Sequence, residues 1–249
     1  MKISRKIFSF IMSFVVLTTV FAFTSVFSSK AFADDLPVHL YYTNKLYDNS
    51  ETSYYVGYIA VKNLGYNQKV TVHYNSNSMG NTWNDIPASY VKTNPSDGYE
   101  IWSFQTPTCY EGAGPDNIQY AIKYEVNGQT YWDNNNGQNY FDDALGLSSL
   151  YVDNFSGYSK NDNKYISALI KSKKSSNSNT VKLRYSTDNW ATYKDVDASL
   201  SSSDASYEYW NVNQAISPST TKIQFAVCYE ENGIEYWDNN WGDNYTYTY

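Results

Sequence analysis

The chain is 249 residues long, 18% of them aromatic, with 27 Tyr, 7 Trp and a formal net charge of −7. An acidic surface of this kind lacks the basic footprint that nucleic acids and anionic membranes attract, and a neutral partner suits it better. Composition points to β structure, with Tyr, Phe and Trp plentiful and Asn and Ser filling short gaps.

At the N-terminus, Lys2, Arg5 and Lys6 precede an apolar run over residues 7–27, and Ala31-Phe32-Ala33 has the small-residue spacing of a cleavage site. These features predict a signal peptide over residues 1–33 and a secreted, extracellular or cell-surface chain with no membrane contact in its mature form. The run is also long enough for a membrane anchor, and the cleavage site decides for removal. The segment carries four of the 18 basic residues and none of the 25 acids, so cleavage leaves 14 against 25, a net charge of −11.

The remaining residues contain a long repeat. Residues 118–140, IQYAIKYEVNGQTYWDNNNGQNY, return at 223–245 as IQFAVCYEENGIEYWDNNWGDNY. Earlier segments correspond too: VTVHY (70–74) with VKLRY (181–185), Trp83 with Trp190, and GYEIWSF (98–104) with SYEYWNV (206–212). A repeat at domain length means two copies of one folding unit. The boundaries read as 36–143 and 148–249, joined by the short ALGLS stretch. Nearly every segment alternates with period two, which predicts an all-β chain of two antiparallel β-sandwich domains in tandem. Val70, Val72 and Tyr74 share one face, as do Trp102 with Phe104 and Trp210 with Val212, and these are expected in the core. Cys109 and Cys228 lie at non-equivalent places in the copies; a bridge between the copies and two free thiols are both open, the thiols being favoured.

Asn127-Gly128 and Asn232-Gly233 are two-residue hairpin turns that require positive φ at both positions. Counting outward sets Lys123 opposite Trp132, Tyr124 opposite Tyr131, Cys228 opposite Trp237 and Tyr229 opposite Tyr236. Ile118, Tyr120, Ile122 and Tyr124 form the apolar face, so Tyr131 and Tyr236 join the core. Trp132 and Trp237 fall on the wet face, beside Ala121 and Ala226 and an Asn-rich loop. A flat ring flanked by amides such as Asn134, Asn136 and Asn239 suits a sugar, whose C–H face stacks while its hydroxyls bond. Two simpler readings stand beside this one: a loop that covers each Trp, and an Asn run that only serves a turn. Tyr99 and Tyr207 are out of phase with Trp102 and Trp210 and also face outward.

These residues resemble the family 21 carbohydrate-binding modules, the starch-binding domains attached to some glucoamylases. The matching pattern is VKNLGYNQKVTVHY, then GYEIWSF, then IKYEVNGQTYWDNNNGQNY, and it recurs in both copies. The resemblance implies an immunoglobulin-like sandwich that binds α-1,4-glucans, commonly at two sites. For the first site it implies Trp83 with Trp132, and Trp190 with Trp237. Trp241, which replaces the third Asn of the loop, is a candidate extra ring. For the second it implies Tyr66, Tyr90 and Tyr99 with Asn63 in the first copy, and Tyr207 alone in the second.

The expected function is non-catalytic binding of starch or glycogen, with no catalytic residue, metal or cofactor. The alternative is an extracellular adhesin or scaffold for another neutral glycan. Acids such as Asp133, Asp238, Glu125 and Glu230 are present, but nothing marks a pair across a glycosidic bond. With only His39 and His73, and a DNNNG run whose Gly is misplaced for an EF-hand, no metal site is expected. Some relatives target a phosphatase to glycogen through a basic-aliphatic-x-aromatic motif. Lys222-Ile223-Gln224-Phe225 fits that pattern but lies in a predicted core strand. A separate secreted amylase is a candidate partner.

Overall fold

The computed structural model describes residues 36–48, 51–77, 80, 82–110 and 117–249, and the predicted signal peptide lies outside them. The described residues form four antiparallel sheets, two to each copy. In the first copy one sheet orders β1 (Val38–Tyr47), β2 (Thr52–Val61), β6 (Glu100–Gln105) and β5 (Ser89–Thr93), with β7 (Cys109–Tyr110) on β2. Its other sheet orders β10 (Tyr140–Phe141), β8 (Ile118–Val126), β3 (Lys69–Ser76) and β4 (Asn84–Pro87), with β9 (Gln129–Asp133) on β8. The second copy repeats this plan. Its first sheet orders β11 (Leu150–Lys160), β12 (Asn163–Lys173), β16 (Tyr207–Ile216) and β15 (Ser199–Ser203). The second orders β14 (Lys194–Asp197), β13 (Asn179–Ser186), β17 (Lys222–Glu231) and β18 (Ile234–Asp238), with β19 (Tyr245–Thr248) on β17.

Alternation builds both cores. Val70, Val72, Tyr74, Ile118, Tyr120, Ile122 and Tyr124 are buried in the first; Val181, Leu183, Tyr185, Ile223, Phe225, Val227 and Tyr229 in the second. Asn127 and Gly128 have φ of 51° and 74°, and Asn232 and Gly233 of 53° and 76°, the left-handed pair that the turn needs. The register follows: Lys123 pairs with Trp132, Tyr124 with Tyr131, Cys228 with Trp237 and Tyr229 with Tyr236. Tyr131 packs against the core, whereas Tyr236 does not join it and is 39% exposed. The loop after β2 and its counterpart after β12 both reach the hairpin, by different contacts. In the first copy Asn127 Nδ2 donates to the Leu64 carbonyl at 2.8 Å. In the second, Ser175 and Asn177 bond Glu231, the residue just before the Asn232-Gly233 turn.

Asp133 and Asp238 are framework residues. Asp133 is buried and accepts from the Leu40 amide at 2.7 Å and from the Tyr140 hydroxyl at 2.9 Å. Asp238 accepts from the Val152 amide at 3.1 Å and from the Tyr245 hydroxyl at 2.8 Å, and burial pushes its carboxyl up from the usual range. Each acid pins the first strand of its own copy. Cys109 and Cys228 are both buried, and burial pushes the Cys228 thiol up to about 11, which keeps it protonated and unreactive.

The ALGLS linker is built into the fold. Amides of Gly146 and Leu147 donate to the Tyr41 and Leu40 carbonyls at 3.1 and 2.8 Å, extending the pairing at β1. A side chain at Gly146 would place its Cβ 2.0 Å from the Leu40 carbonyl oxygen, so only Gly fits. Lys171, buried in β12, pairs with Asp143 at 2.6 Å, the partner that a buried ammonium requires. Beside this pair the copies meet through rings. Tyr42 stacks on Tyr151 at 4.5 Å, and Trp241 lies 4.7 Å from Tyr58 and 5.8 Å from Tyr41.

Candidate functional site

The outward face of β3, β4, β8 and β9 carries the first constellation. Trp132 and Trp83 are 42% and 39% exposed, and His73 stands between them. The imidazole stacks on Trp83 at 4.6 Å with planes 8° apart and meets Trp132 edge-on at 6.0 Å. His73 Nδ1 lies 2.6 Å from Asp85 Oδ1, a hydrogen bond that holds the Asp85 carboxyl below its usual value. Opposite His73, Ala121 is small and buried, which leaves room above the sheet for the three rings.

The second copy repeats the arrangement with different residues. Arg184 pairs across the sheet with Ala226 and with Asp195, as His73 does with Ala121 and Asp85. Its guanidinium lies 4.2 Å from the Tyr193 ring and 4.9 Å from that of Trp237. Two 2.7 Å hydrogen bonds to Asp195 fix its plane. The place of Trp83 is thus taken by Tyr193, 58% exposed, and not by Trp190. Trp190 sits in the preceding turn with φ of 68°, its amide bonded to Ser186 Oγ at 2.8 Å and its ring half-buried. The signal was present in sequence, because TWNDIPAS (82–89) aligns with TYKDVDAS (192–199).

Arg184 holds the Asp195 carboxyl below its usual value, so both keep their charges well below neutrality. A pair of this sign is present above the depressed carboxylate pKa and is lost only as pH falls through it. Ligand binding by this platform, measured calorimetrically in a Trp132→Ala chain, is therefore expected to stay flat from about pH 5 to 8. A drop of tenfold inside that window would contradict the role of Arg184.

The Asn loops serve mainly as turns. Asn134 Oδ1 accepts from the Gly137 amide at 3.0 Å, and Asn239 Oδ1 from the Gly242 amide at 2.9 Å. Asn136 is exposed, with φ of 57°. Trp241 occupies the same turn position with φ of 50° but points into the inter-copy junction, so it is withdrawn from the platform of Trp237.

A second constellation opens at the edge of the first sandwich, a groove of about 680 Å³ lined by Asn63, Tyr66, Gln68, Tyr90, Glu100 and Trp102. Tyr66 and Tyr90 are 90% and 52% exposed, and Tyr90 meets Trp102 edge-on at 6.1 Å. Buried Glu100 organises the floor, accepting from Asn63 at 2.6 Å and from Trp102 Nε1 at 3.0 Å. Trp102 thus lines the groove as well as touching the core. Tyr99 belongs elsewhere: it lies half-buried on the outer face, with the Lys62 ammonium 5.7 Å from its ring.

The second copy is built differently at the corresponding place. Ser172 stands where the first copy has Val61, and Trp210 turns inward to bond it at 3.0 Å and becomes buried. Leu200 replaces Tyr90. Tyr207 is covered by the Lys171 ammonium at 4.0 Å and accepts from the Leu145 amide at 3.4 Å, which makes it part of the junction rather than a platform.

Aromatic platforms backed by fixed polar groups, in two copies, are what the comparisons with known proteins bear on. A family model described as "Carbohydrate/starch-binding module (family 21)" matches residues 36–141 and again 149–248. The chain belongs to that family. Glucoamylase 1 of Rhizopus oryzae is 42% identical over 95 residues, covering 37% of this chain and 15% of the glucoamylase. Protein phosphatase 1 regulatory subunit 3B of Danio rerio is 35% identical over 86 residues, 34% of this chain and 29% of the subunit. The match thus spans under a third of either relative. Among solved structures, the starch-binding domain of Rhizopus oryzae glucoamylase in complex with β-cyclodextrin and maltoheptaose is 34% identical, over 45% of this chain and 96% of that one, with a TM-score of 0.32. The carbohydrate-binding module of the muscle glycogen-targeting subunit of protein phosphatase 1 is 22% identical, over 41% and 76%, with a TM-score of 0.35. In this pair of family 21 modules the phosphatase-like motif is unavailable, because Ile223 and Phe225 are fully buried in β17.

Proposed function

We propose that this chain binds α-1,4-glucans, starch or glycogen, without transforming them. The observation that carries the reading is the exposed platform built twice: Trp83–His73–Trp132 in one module and Tyr193–Arg184–Trp237 in the other. Each offers flat aromatic faces to pyranose C–H groups, with charged or amide donors at the edge for hydroxyls. The Tyr66–Tyr90–Trp102 groove adds a third contact in the first module. Asp133 and Asp238 hold strands, so neither is free to act as a glycosidic acid or base.

The basic start, apolar run and Ala31-Phe32-Ala33 site support export of the chain, and a secreted amylase acting on the captured glucan is its natural partner. Pull-downs on insoluble starch, glycogen, cellulose and β-glucan test the reading. Retention on the first two is expected; retention on cellulose or β-glucan instead would transfer the chain to the adhesin class. Tyr90→Ala is expected to weaken oligosaccharide binding at the groove about fivefold, the share of one aromatic contact. Both platforms should be unaffected, as titrations followed at Trp132 and Trp237 would show.

A further inference from the structure

We infer that the outer face of the sheet β11–β12–β16 is a further glycan-binding platform, centred on Tyr158 and present only in the second module. The proposal rests on the glucan-binding reading and adds a site outside the two constellations above. Phe155, Ile166, Ala168, Ile170 and Val212 point into the core, so Ser156, Tyr158, Tyr165, Ser167, Leu169 and Asn213 point out. Tyr158 opposes Tyr165 across the strands, and their rings stack at 4.9 Å with planes 7° apart.

What distinguishes Tyr158 from a decorative surface tyrosine is that it is held. Its hydroxyl bonds Asn213 Oδ1 at 3.0 Å, and Asn213 lies two strands away, opposite Ser167. The ring is therefore drawn across the sheet over a small residue, and it keeps 37% of its surface exposed. A side chain fixed by stacking at one face and a hydrogen bond at its tip loses little freedom when a ligand lands on the other face. Around it lie amides and hydroxyls from Asn154, Ser156, Ser167 and Asn211, with Leu169 44% exposed as a second apolar contact.

Asn154, Ser156, Tyr165, Ser167, Leu169, Asn211 and Asn213 around the ring include no Asp or Glu, and the acids of this sheet lie toward its other end, Asp143 on Lys171 and Asp204 on Tyr209. A flat ring, uncharged donors and acceptors, and no acid describe a surface for a neutral glycan chain rather than for a cation or a basic protein. The first module has no counterpart. Its register-equivalent positions are Leu46, Tyr54, Val56 and Tyr58, and Tyr58 is packed against Trp241.

The test is a chemical-shift titration of the full chain with maltoheptaose, carrying Trp132→Ala, Trp237→Ala and Tyr90→Ala so that the other sites are silenced. Saturable movement of Tyr158, Tyr165 and Asn213 resonances is expected. Tyr158→Thr, which keeps a residue of high strand propensity in place, should weaken that response about fivefold or more. An unresponsive outer face, in a parent chain whose Trp132 and Trp237 do respond, would overturn the platform and leave the glucan reading intact. A parent chain with no response anywhere would overturn both. Movement that follows protein concentration without sugar would assign the face to self-association and also overturn it.

Discussion

Replacing both Trp132 and Trp237 by alanine is expected to abolish retention on insoluble starch and to leave the β-rich circular dichroism intact. The fold survives because neither ring is in a core: Trp132 is 42% exposed, and the cross-strand partners are Lys123 and Cys228, on the outward side of their strands. Each lost stack removes about 1 kcal/mol beyond area burial, roughly fivefold in affinity. Retention on a polymer depends on more than that. Two modules engaged on one glucan gain roughly 10² to 10⁴ in avidity, and the gain vanishes when both platforms fail together. The groove of Tyr66 and Tyr90 and the face of Tyr158 still meet soluble oligosaccharide, but as weak contacts that washing removes. Single variants should therefore lose about fivefold in oligosaccharide affinity and keep partial retention. Full retention by the double variant would refute the platform assignment.

The tandem repeat, the β-sandwich class and the outward aim of Trp132 and Trp237 were legible because each follows from local rules. An Asn-Gly turn fixes register, register fixes the side of every residue, and apolar alternation says which side is dry. What escaped was set by contacts distant in sequence. Tyr236 has the right phase for the core yet stays 39% exposed, and the two hairpins are tied differently, Asn127 to Leu64 in one copy and Glu231 to Ser175 in the other. Tyr99 faces outward as its phase requires, but away from the groove that Tyr66 and Tyr90 share with Trp102. Residue type alone pairs Trp190 with Trp83. The strand that follows each loop shows that Tyr193 holds the equivalent place. His73 and Arg184, the wedges of the platforms, carried no signal of their own, because a polar residue on the wet face of a strand is ordinary until its neighbours are known.

The withdrawal of Trp241 into the junction leads to the second large effect. Its backbone has φ of 50°, a left-handed conformation that a bulky residue adopts at a cost and that Asn tolerates, as Asn136 does at 57° in the first module. Trp241→Asn therefore relieves the turn while deleting the ring that touches Tyr41, Tyr42 and Tyr58. Any loss it causes belongs to the junction and not to the turn. Deleting a half-buried Trp should destabilise the pair by about 2 kcal/mol, below the range for a fully buried one. The first consequence is motional. The parent chain should scatter X-rays and tumble as one body, and the variant should show a larger radius of gyration and separate correlation times for the two modules. The Tyr42–Tyr151 stack and the Lys171–Asp143 pair remain, so the single change loosens the junction and Tyr42→Ser added to it should complete the separation. Starch retention then reports on geometry: if the fixed junction presents both platforms to one glucan, retention of the double variant falls several-fold while each site keeps its oligosaccharide affinity. Unchanged scattering in that double variant would show that the linker, held by Gly146 and Leu147 against β1, fixes the modules without the rings.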